Sequence, residues 1–125
     1  METIISTYTS VNEQAVKTWY KAGPVEAFPD NGGVCVKYKD RQIAVFNFKR
    51  KNTWYACQNL CPHKLEMVLS RGMIGDANSL PKVSCPMHKK TFSLETGENL
   101  DGALDAIATY PVKVADNIVY IGFSE

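Results

Sequence analysis

The chain has 125 residues, of which 45% are hydrophobic and 22% charged, and its formal net charge is +1. This size and composition are those of one globular domain with a single core, and a net charge near zero gives no indication of binding to nucleic acid. The apolar runs are no longer than a strand, and the first residues lack the apolar core of a signal peptide. We therefore expect no membrane anchor and a cytoplasmic protein with reduced cysteines.

The first half of the chain is predicted to contain β-strands. Residues 1–16 are polar and mixed, and we expect a flexible arm with a short helical turn before a single domain at residues 17–125. Apolar and polar residues then alternate in short runs between polar turns, which is typical of strands. These runs cover residues 19–22, 34–38, 42–48 and 54–58. Cys35 and Cys57 fall within two of them, so we interpret both as small core residues.

The second half is predicted to be β-structure as well, with more irregular connections. The predicted features are a loop at 75–81, strands at 82–84 and 91–94, an acidic loop at 101–105, and a hairpin of 108–114 with 118–123. Many short strands with almost no helical periodicity predict an all-β fold, an antiparallel sandwich or barrel.

Two cysteine–histidine pairs lie in the middle of the chain, one after the strand at 54–58 and one between the strands at 82–84 and 91–94. Cys61 and His63 form a C-x-H motif, and Cys85 and His88 form a C-x-x-H motif that uses the second of the chain's two histidines. A proline follows each cysteine, which indicates two rigid turns. Thiolate and imidazole suit zinc, and they also suit a Rieske cluster, in which two thiolates hold one iron and two imidazoles the other. One cysteine and one histidine per turn favour the cluster, because zinc sites more often take like ligands from one turn.

The two motifs resemble those of Rieske proteins, and in more detail those of the small subunit of NAD(P)H-dependent nitrite reductase. The closer resemblance extends over roughly residues 19–123 and is carried by Ser70-Arg71-Gly72, Gly75-Asp76 and the run from Lys89 to Glu98. It implies antiparallel sheets with an inserted cluster-binding subdomain, whose loops fall at about residues 59–92. It also implies one [2Fe-2S] cluster per chain, with Cys61 and Cys85 on one iron and His63 and His88 on the other.

The function implied by this resemblance is electron transfer in the reduction of nitrite to ammonia during nitrate assimilation. The partner would be a large subunit with flavin, siroheme and another iron–sulfur cluster, supplied by NADH or NADPH. The chain has no nucleotide-binding motif and no further histidine as a general base, so we expect no catalysis by the chain alone. One alternative is a free-standing Rieske ferredoxin of an aromatic-ring oxygenase, which generally has a shorter spacer between the motifs. An alternative of another class is a structural zinc-binding module.

The resemblance also bears on the reduction potential. High-potential respiratory members have an extra cysteine in each ligand loop, joined as a disulfide, and a serine and a tyrosine that donate to the cluster sulfurs. The corresponding positions here hold Glu66, Met87, Lys90 and Phe92. We therefore predict a potential in the lower half of the Rieske range, near or below about 0 mV.

Basic residues are concentrated around the two motifs. Between residues 61 and 92 the basic residues are Lys64, Arg71, Lys82, Lys89 and Lys90, and the acidic residues are Glu66 and Asp76. From residue 93 onward the single basic residue is Lys113, and acidic residues predominate. The region is either an ordinary solvated surface or a basic end of the domain that meets an acidic surface of the partner.

Overall fold

The computed structural model describes residues 8–39, 41–49, 52–62, 66–77, 80–86, 89–100, 102 and 106–124. Here the chain forms antiparallel strands and short 3₁₀ helices at Glu13–Ala15, Val25–Ala27 and Leu69–Arg71. The strands are β1 (Thr18–Pro24), β2 (Gly32–Tyr38), β3 (Arg41–Phe48), β4 (Thr53–Gln58), β5 (Leu60–Cys61), β6 (Glu66–Met67), β7 (Met73–Ala77), β8 (Leu80–Ser84), β9 (Thr91–Ser93), β10 (Thr109–Tyr110), β11 (Val112–Ala115) and β12 (Ile118–Phe123). The predicted all-β class is confirmed. Within the described ranges, no helix has the length and apolar character needed to cross a membrane.

Two sheets form the body of the domain and enclose its first core. One sheet has the strand order β1-β12-β11, and the other has the order β10-β4-β3-β2. Ile43 and Val45 of β3 belong to this core together with Tyr38 of β2 and Phe123 of β12. The rings of Tyr38 and Phe123 stack with their centroids 3.7 Å apart. Because successive side chains of a strand point to opposite faces, one face of β3 fills this core.

The other face of β3 belongs to a second core, which joins the body to an inserted subdomain. Ala44 and Phe46 lie there with Leu69, Val83 and Phe92, which come from the segment between β4 and β10. That segment contains the hairpin β5-β6 and the three-stranded sheet β7-β8-β9. Burial of β3 on both faces therefore fixes the subdomain to the body, and the predicted insertion is confirmed.

Residues 75–81 do not form the predicted loop. β7 and β8 pair antiparallel from Met73 and Ser84 to Ala77 and Leu80. Gly75 and Pro81 are poor strand residues, so the sequence pattern predicted a loop here instead of a hairpin. Pro81 is tolerated because it lies at the end of the β8–β9 ladder, which begins at Lys82, and its carbonyl still accepts from the Leu94 N–H at 2.9 Å.

The end of the chain follows the prediction with one difference. β11 and β12 form the predicted hairpin across Asp116 and Asn117, whose φ angles of 52° and 63° suit a two-residue turn. Residues 108–114 are not one strand, because Pro111 separates β10, which pairs with β4, from β11, which pairs with β12. Proline cannot continue a ladder, so the chain changes sheets there. The predicted acidic loop at residues 101–105 lies largely outside the described residues.

The two cysteines assigned to strands differ in burial. Cys57 on β4 is fully buried, as predicted, but Cys35 on β2 is exposed. β2 is the edge strand of its sheet and turns Val36 and Tyr38 toward the core, so Cys35, which precedes Val36, faces the opposite way and is exposed. The prediction of a core role for Cys35 is therefore wrong.

The N-terminal segment contacts the body where the structure describes it. The Val11 N–H donates to the Thr109 carbonyl at 2.9 Å, and the Tyr8 hydroxyl accepts from the Gln42 N–H at 3.0 Å. A 3₁₀ helix lies within the predicted helical turn. The flexibility of residues 1–16 and the division into arm and domain stay predictions.

Candidate metal centre

The first ligand loop, defined as residues 60–68, begins directly after β4. Cys61 pairs with Glu66 across this loop, so that β5 and β6 form a small antiparallel hairpin. Cys61 is only 2% exposed. Pro62 follows in a turn, where its fixed backbone and missing N–H end β5. The other predicted ligand of this loop, His63, lies outside the described residues.

The second ligand loop, defined as residues 85–90, connects β8 to β9. The Cys85 N–H donates to the Lys90 carbonyl, and the Cys85 carbonyl accepts from the Lys89 N–H, both at 2.8 Å. Lys89 has a φ of 59°, a left-handed conformation that closes the turn. Cys85 is 1% exposed, and His88 lies outside the described residues. Backbone hydrogen bonds between the described ends of this loop therefore return it to the sheet.

The residues that flank the second loop support the same closure. The hydroxyls of Ser84 and Thr91 are hydrogen-bonded at 2.9 Å on the paired strands β8 and β9. The Asn99 side chain donates to the Thr91 carbonyl at 3.0 Å. The base of the loop is thus held by neighbouring strands of one small sheet and by Asn99, which is bridged to Phe92.

Two residues that the sequence analysis did not single out, Gln58 and Asn59, lie directly before the first loop. The Gln58 side-chain amide donates to the Leu60 carbonyl at 2.7 Å. The Asn59 side-chain oxygen accepts from the Ser70 N–H at 2.6 Å. The available signal was two consecutive carboxamides at the end of a buried strand, since buried polar groups require partners. It does not identify those partners, which come from distant parts of the chain.

Cys61 and Cys85 lie in one buried core together with Leu69 and Phe92. None of the four cysteines forms a disulfide. A thiolate in apolar surroundings is costly unless a metal binds it. Two buried cysteines, one from each loop, therefore fit a group that takes two thiolates, as one iron of a [2Fe-2S] cluster does.

Neither of the remaining two cysteines lies in a ligand loop, because Cys57 is on β4, although in the same core, and Cys35 is on β2. Burial raises the pKa of the Cys57 thiol well above its usual range. Burial also raises the pKa of the Cys35 thiol, although the Arg71 guanidinium acts in the opposite direction. That Cys35 and Cys57 are not ligands stays a prediction.

The basic residues of this region are at least partly accessible where their side chains are described. Arg71 and Lys89 are exposed, and Lys82 and Lys90 are half-buried. Lys64 and the side chains of Glu66 and Asp76 lie outside the described part. The role of this charge in binding a partner stays a prediction.

Comparison with known proteins identifies the family. A model of the Rieske-like [2Fe-2S] domain matches residues 18–122. The chain belongs to this family, and its cofactor is a [2Fe-2S] cluster. The Rieske prediction is confirmed, and the zinc module has no support. The individual ligands stay a prediction, because both histidines lie outside the described residues.

Three similar proteins represent different settings of this domain. The Klebsiella oxytoca nitrite reductase NAD(P)H large subunit is 36% identical over 106 residues, which are 85% of this chain but 11% of that protein. The 3-phenylpropionate/cinnamic acid dioxygenase ferredoxin subunit of Photorhabdus laumondii is 36% identical over 81% of this chain and 90% of its own length. The solution structure of the nitrite reductase NAD(P)H small subunit from Erwinia carotovora has a TM-score of 0.71 and 28% identity, covering 86% of this chain and 82% of that one.

Proposed function

We propose that the chain is the small subunit of an NAD(P)H-dependent nitrite reductase and transfers single electrons within that enzyme. The observation that carries the proposal is the burial of Cys61 and Cys85, one from each ligand loop, in one apolar core. When bound, a [2Fe-2S] cluster supplies one-electron chemistry. Cys61 and Cys85 would hold one iron, and His63 and His88 the other. We propose no reduction of nitrite by the chain alone, since both histidines of the sequence are assigned to the cluster.

The residues around the two cysteines would hold the ligands still and exclude water. Leu69 and Phe92 are fully buried in the same core as the two cysteines, so they would exclude water from the thiolate side of the centre. The two ligand loops are hydrogen-bonded at their bases. A ligand set that moves little on a change of charge suits electron transfer, and rigid strands position such loops well.

The proposed partner is a large subunit with flavin, siroheme and a further iron–sulfur cluster. Support comes from the likeness to the Erwinia carotovora small subunit over most of both chains. It also comes from the Klebsiella oxytoca large subunit, which contains a segment similar to this chain. We propose a cytoplasmic location, with which four cysteines without a disulfide agree.

A second candidate function is that of a ferredoxin for an aromatic-ring oxygenase. It is favoured by the Photorhabdus laumondii ferredoxin subunit, which matches over 90% of its length. The β7-β8 hairpin counts against this function. It lies in the spacer between the motifs, which is the region expected to be shorter in such ferredoxins. The two functions are distinguished by measuring the rate of electron transfer between the chain and each purified partner, the large nitrite reductase subunit or the ring oxygenase. Only the true partner should oxidise or reduce the chain rapidly.

The test of the cofactor assignment uses all four cysteines. The natural chain should contain about two irons and two sulfides and give a Rieske electron paramagnetic resonance (EPR) spectrum. Cys61→Ala and Cys85→Ala should lose that spectrum, while the matched variants Cys35→Ala and Cys57→Ala should keep it. Retention of the spectrum in Cys85→Ala contradicts the proposed ligand set.

The proposed function also requires a low potential. Phe92, which stands where high-potential relatives place a tyrosine, is fully buried and has no hydroxyl to donate. Voltammetry near neutral pH should give a midpoint near or below about 0 mV, within a family range of roughly −150 to +300 mV. A midpoint above about +150 mV contradicts this interpretation.

A further inference from the structure

We propose that Gln58 and Asn59 are positioning residues that hold the first ligand loop at its start and at its end. The inference rests on the proposed ligation by Cys61 and His63. Neither residue is a ligand, and both act through the backbone of the loop.

Gln58 holds the start of the loop. Its side-chain nitrogen donates to the Leu60 carbonyl at 2.7 Å, and its side-chain oxygen accepts from the Ala108 N–H at 2.8 Å. The Gln58 backbone N–H also donates to the Ala108 carbonyl at 2.9 Å. The Leu60 carbonyl belongs to the peptide that precedes Cys61. Gln58 therefore ties the plane of that peptide to the segment before β10, which lies outside the loop.

Asn59 holds the end of the loop. Its backbone carbonyl accepts from the Leu69 N–H at 3.0 Å, and its side-chain oxygen accepts from the Ser70 N–H at 2.6 Å. One residue thus binds two consecutive N–H groups and closes the chain around residues 60–68. Asn59 is 2% exposed, so water cannot readily replace these bonds.

The Asn59 side chain is itself oriented by β3. Its nitrogen donates to the Gln42 side-chain oxygen at 3.0 Å and lies 3.7 Å from the Cys35 sulfur. Its backbone N–H donates to the Gln42 carbonyl at 2.9 Å. With its nitrogen fixed on Gln42, the amide presents its oxygen to Ser70. The geometry of the loop is therefore set by the body of the domain.

The test compares Asn59→Ala with Asn99→Ala in the full, cluster-containing chain. Asn99 is a matched control, because it is also buried (8% exposed) and donates to the Thr91 carbonyl beside the second loop. Hydrogen-exchange mass spectrometry should show about tenfold faster exchange at residues 66–72 in Asn59→Ala only. Its EPR lines should broaden, and iron release to a chelator should accelerate. Gln42→Ala should give smaller changes of the same kind and serves if Asn59→Ala does not fold.

Two results overturn the inference. One is unchanged exchange, line width and iron release in both Asn59→Ala and Gln42→Ala. The other is an equal effect of Asn99→Ala on residues 66–72, which would show a general loss of stability. Failure of the proposed function is distinguished from both, since it appears as a missing Rieske spectrum in the natural chain. The exchange comparison at residues 66–72 remains decisive even then.

Discussion

The two ligand loops of this domain are held in different ways. The first is anchored from outside by two buried carboxamides, Gln58 and Asn59, whose partners lie on β3, before β10 and after β6. The second closes on itself through backbone bonds between Cys85 and residues 89 and 90. A longer loop costs more entropy to close, so it depends more on contacts from outside than a short hairpin loop does. The difference shows that equivalent ligand pairs do not require equivalent scaffolds.

The segment that leaves the first loop passes close to the strand that leads into the second. A Cβ added to Gly72 would lie 2.4 Å from the Ser84 carbonyl oxygen and 2.8 Å from a Val83 methyl carbon. Ser84 immediately precedes Cys85, so this close backbone approach lies beside the start of the second loop. Only glycine allows it at this position.

The largest expected effect comes from breaking this approach. Gly72→Ala should lower the free energy of unfolding by about 1–3 kcal/mol, because backbone must move to admit the methyl group. Gly75→Ala is the control, since its Cβ would meet nothing closer than 3.9 Å. That variant should be neutral or slightly stabilising. Denaturant unfolding measures both, and equal stability of the two variants would show that the close approach does not require glycine at position 72.

The proposed ligand cysteines and one hairpin could be predicted from the sequence, whereas the direction of Cys35 and the partners of Asn59 could not. Cys61 and Cys85 were found because few kinds of centre need paired cysteines and histidines, and the hairpin at Asp116 was found because local turn chemistry specifies it. The outward direction of Cys35 depends on which face of β2 meets the body, which alternation alone does not fix. The partners of Asn59 depend on contacts between distant segments, for which one sequence contains no direct signal.

A second prediction asks which loop meets the partner. Each loop contains a lysine next to its ligands, Lys64 in the first and the exposed Lys89 in the second. If the basic end binds an acidic surface, Lys64→Glu and Lys89→Glu should each weaken binding to the large subunit about tenfold at low salt, and less at high salt.

The control for this experiment is Lys113→Glu, which reverses an exposed charge on β11 of the body. It should leave binding unchanged. Unequal effects of the two loop variants would identify the loop closer to the partner. Unchanged affinity in both, measured by calorimetry at low ionic strength, would show that this end is not the docking surface.

The smallest expected effect concerns backbone strain in the second loop. Lys89 has a φ of 59°, whereas no residue of the first loop has a positive φ in its described parts, 60–62 and 66–68. A left-handed conformation costs a non-glycine residue roughly 1–2 kcal/mol, and glycine avoids that cost but loses more entropy on folding. Lys89→Gly should therefore raise the free energy of unfolding by about 0.5–1 kcal/mol.

Lys90→Gly is the matched comparison, because it removes the same charge from the adjacent position, where φ is not positive. It should lower the free energy of unfolding by about 0.5–1 kcal/mol. Because both variants lose one lysine charge, the difference between them measures the effect of the backbone conformation. Both should keep the Rieske spectrum, since the bonds to Cys85 use only backbone atoms. If Lys89→Gly is no more stable than Lys90→Gly in denaturant unfolding, the turn stores no strain. The second loop would then be as free of backbone strain as the described parts of the first, and closing it through its own backbone bonds would not lower the stability of the fold.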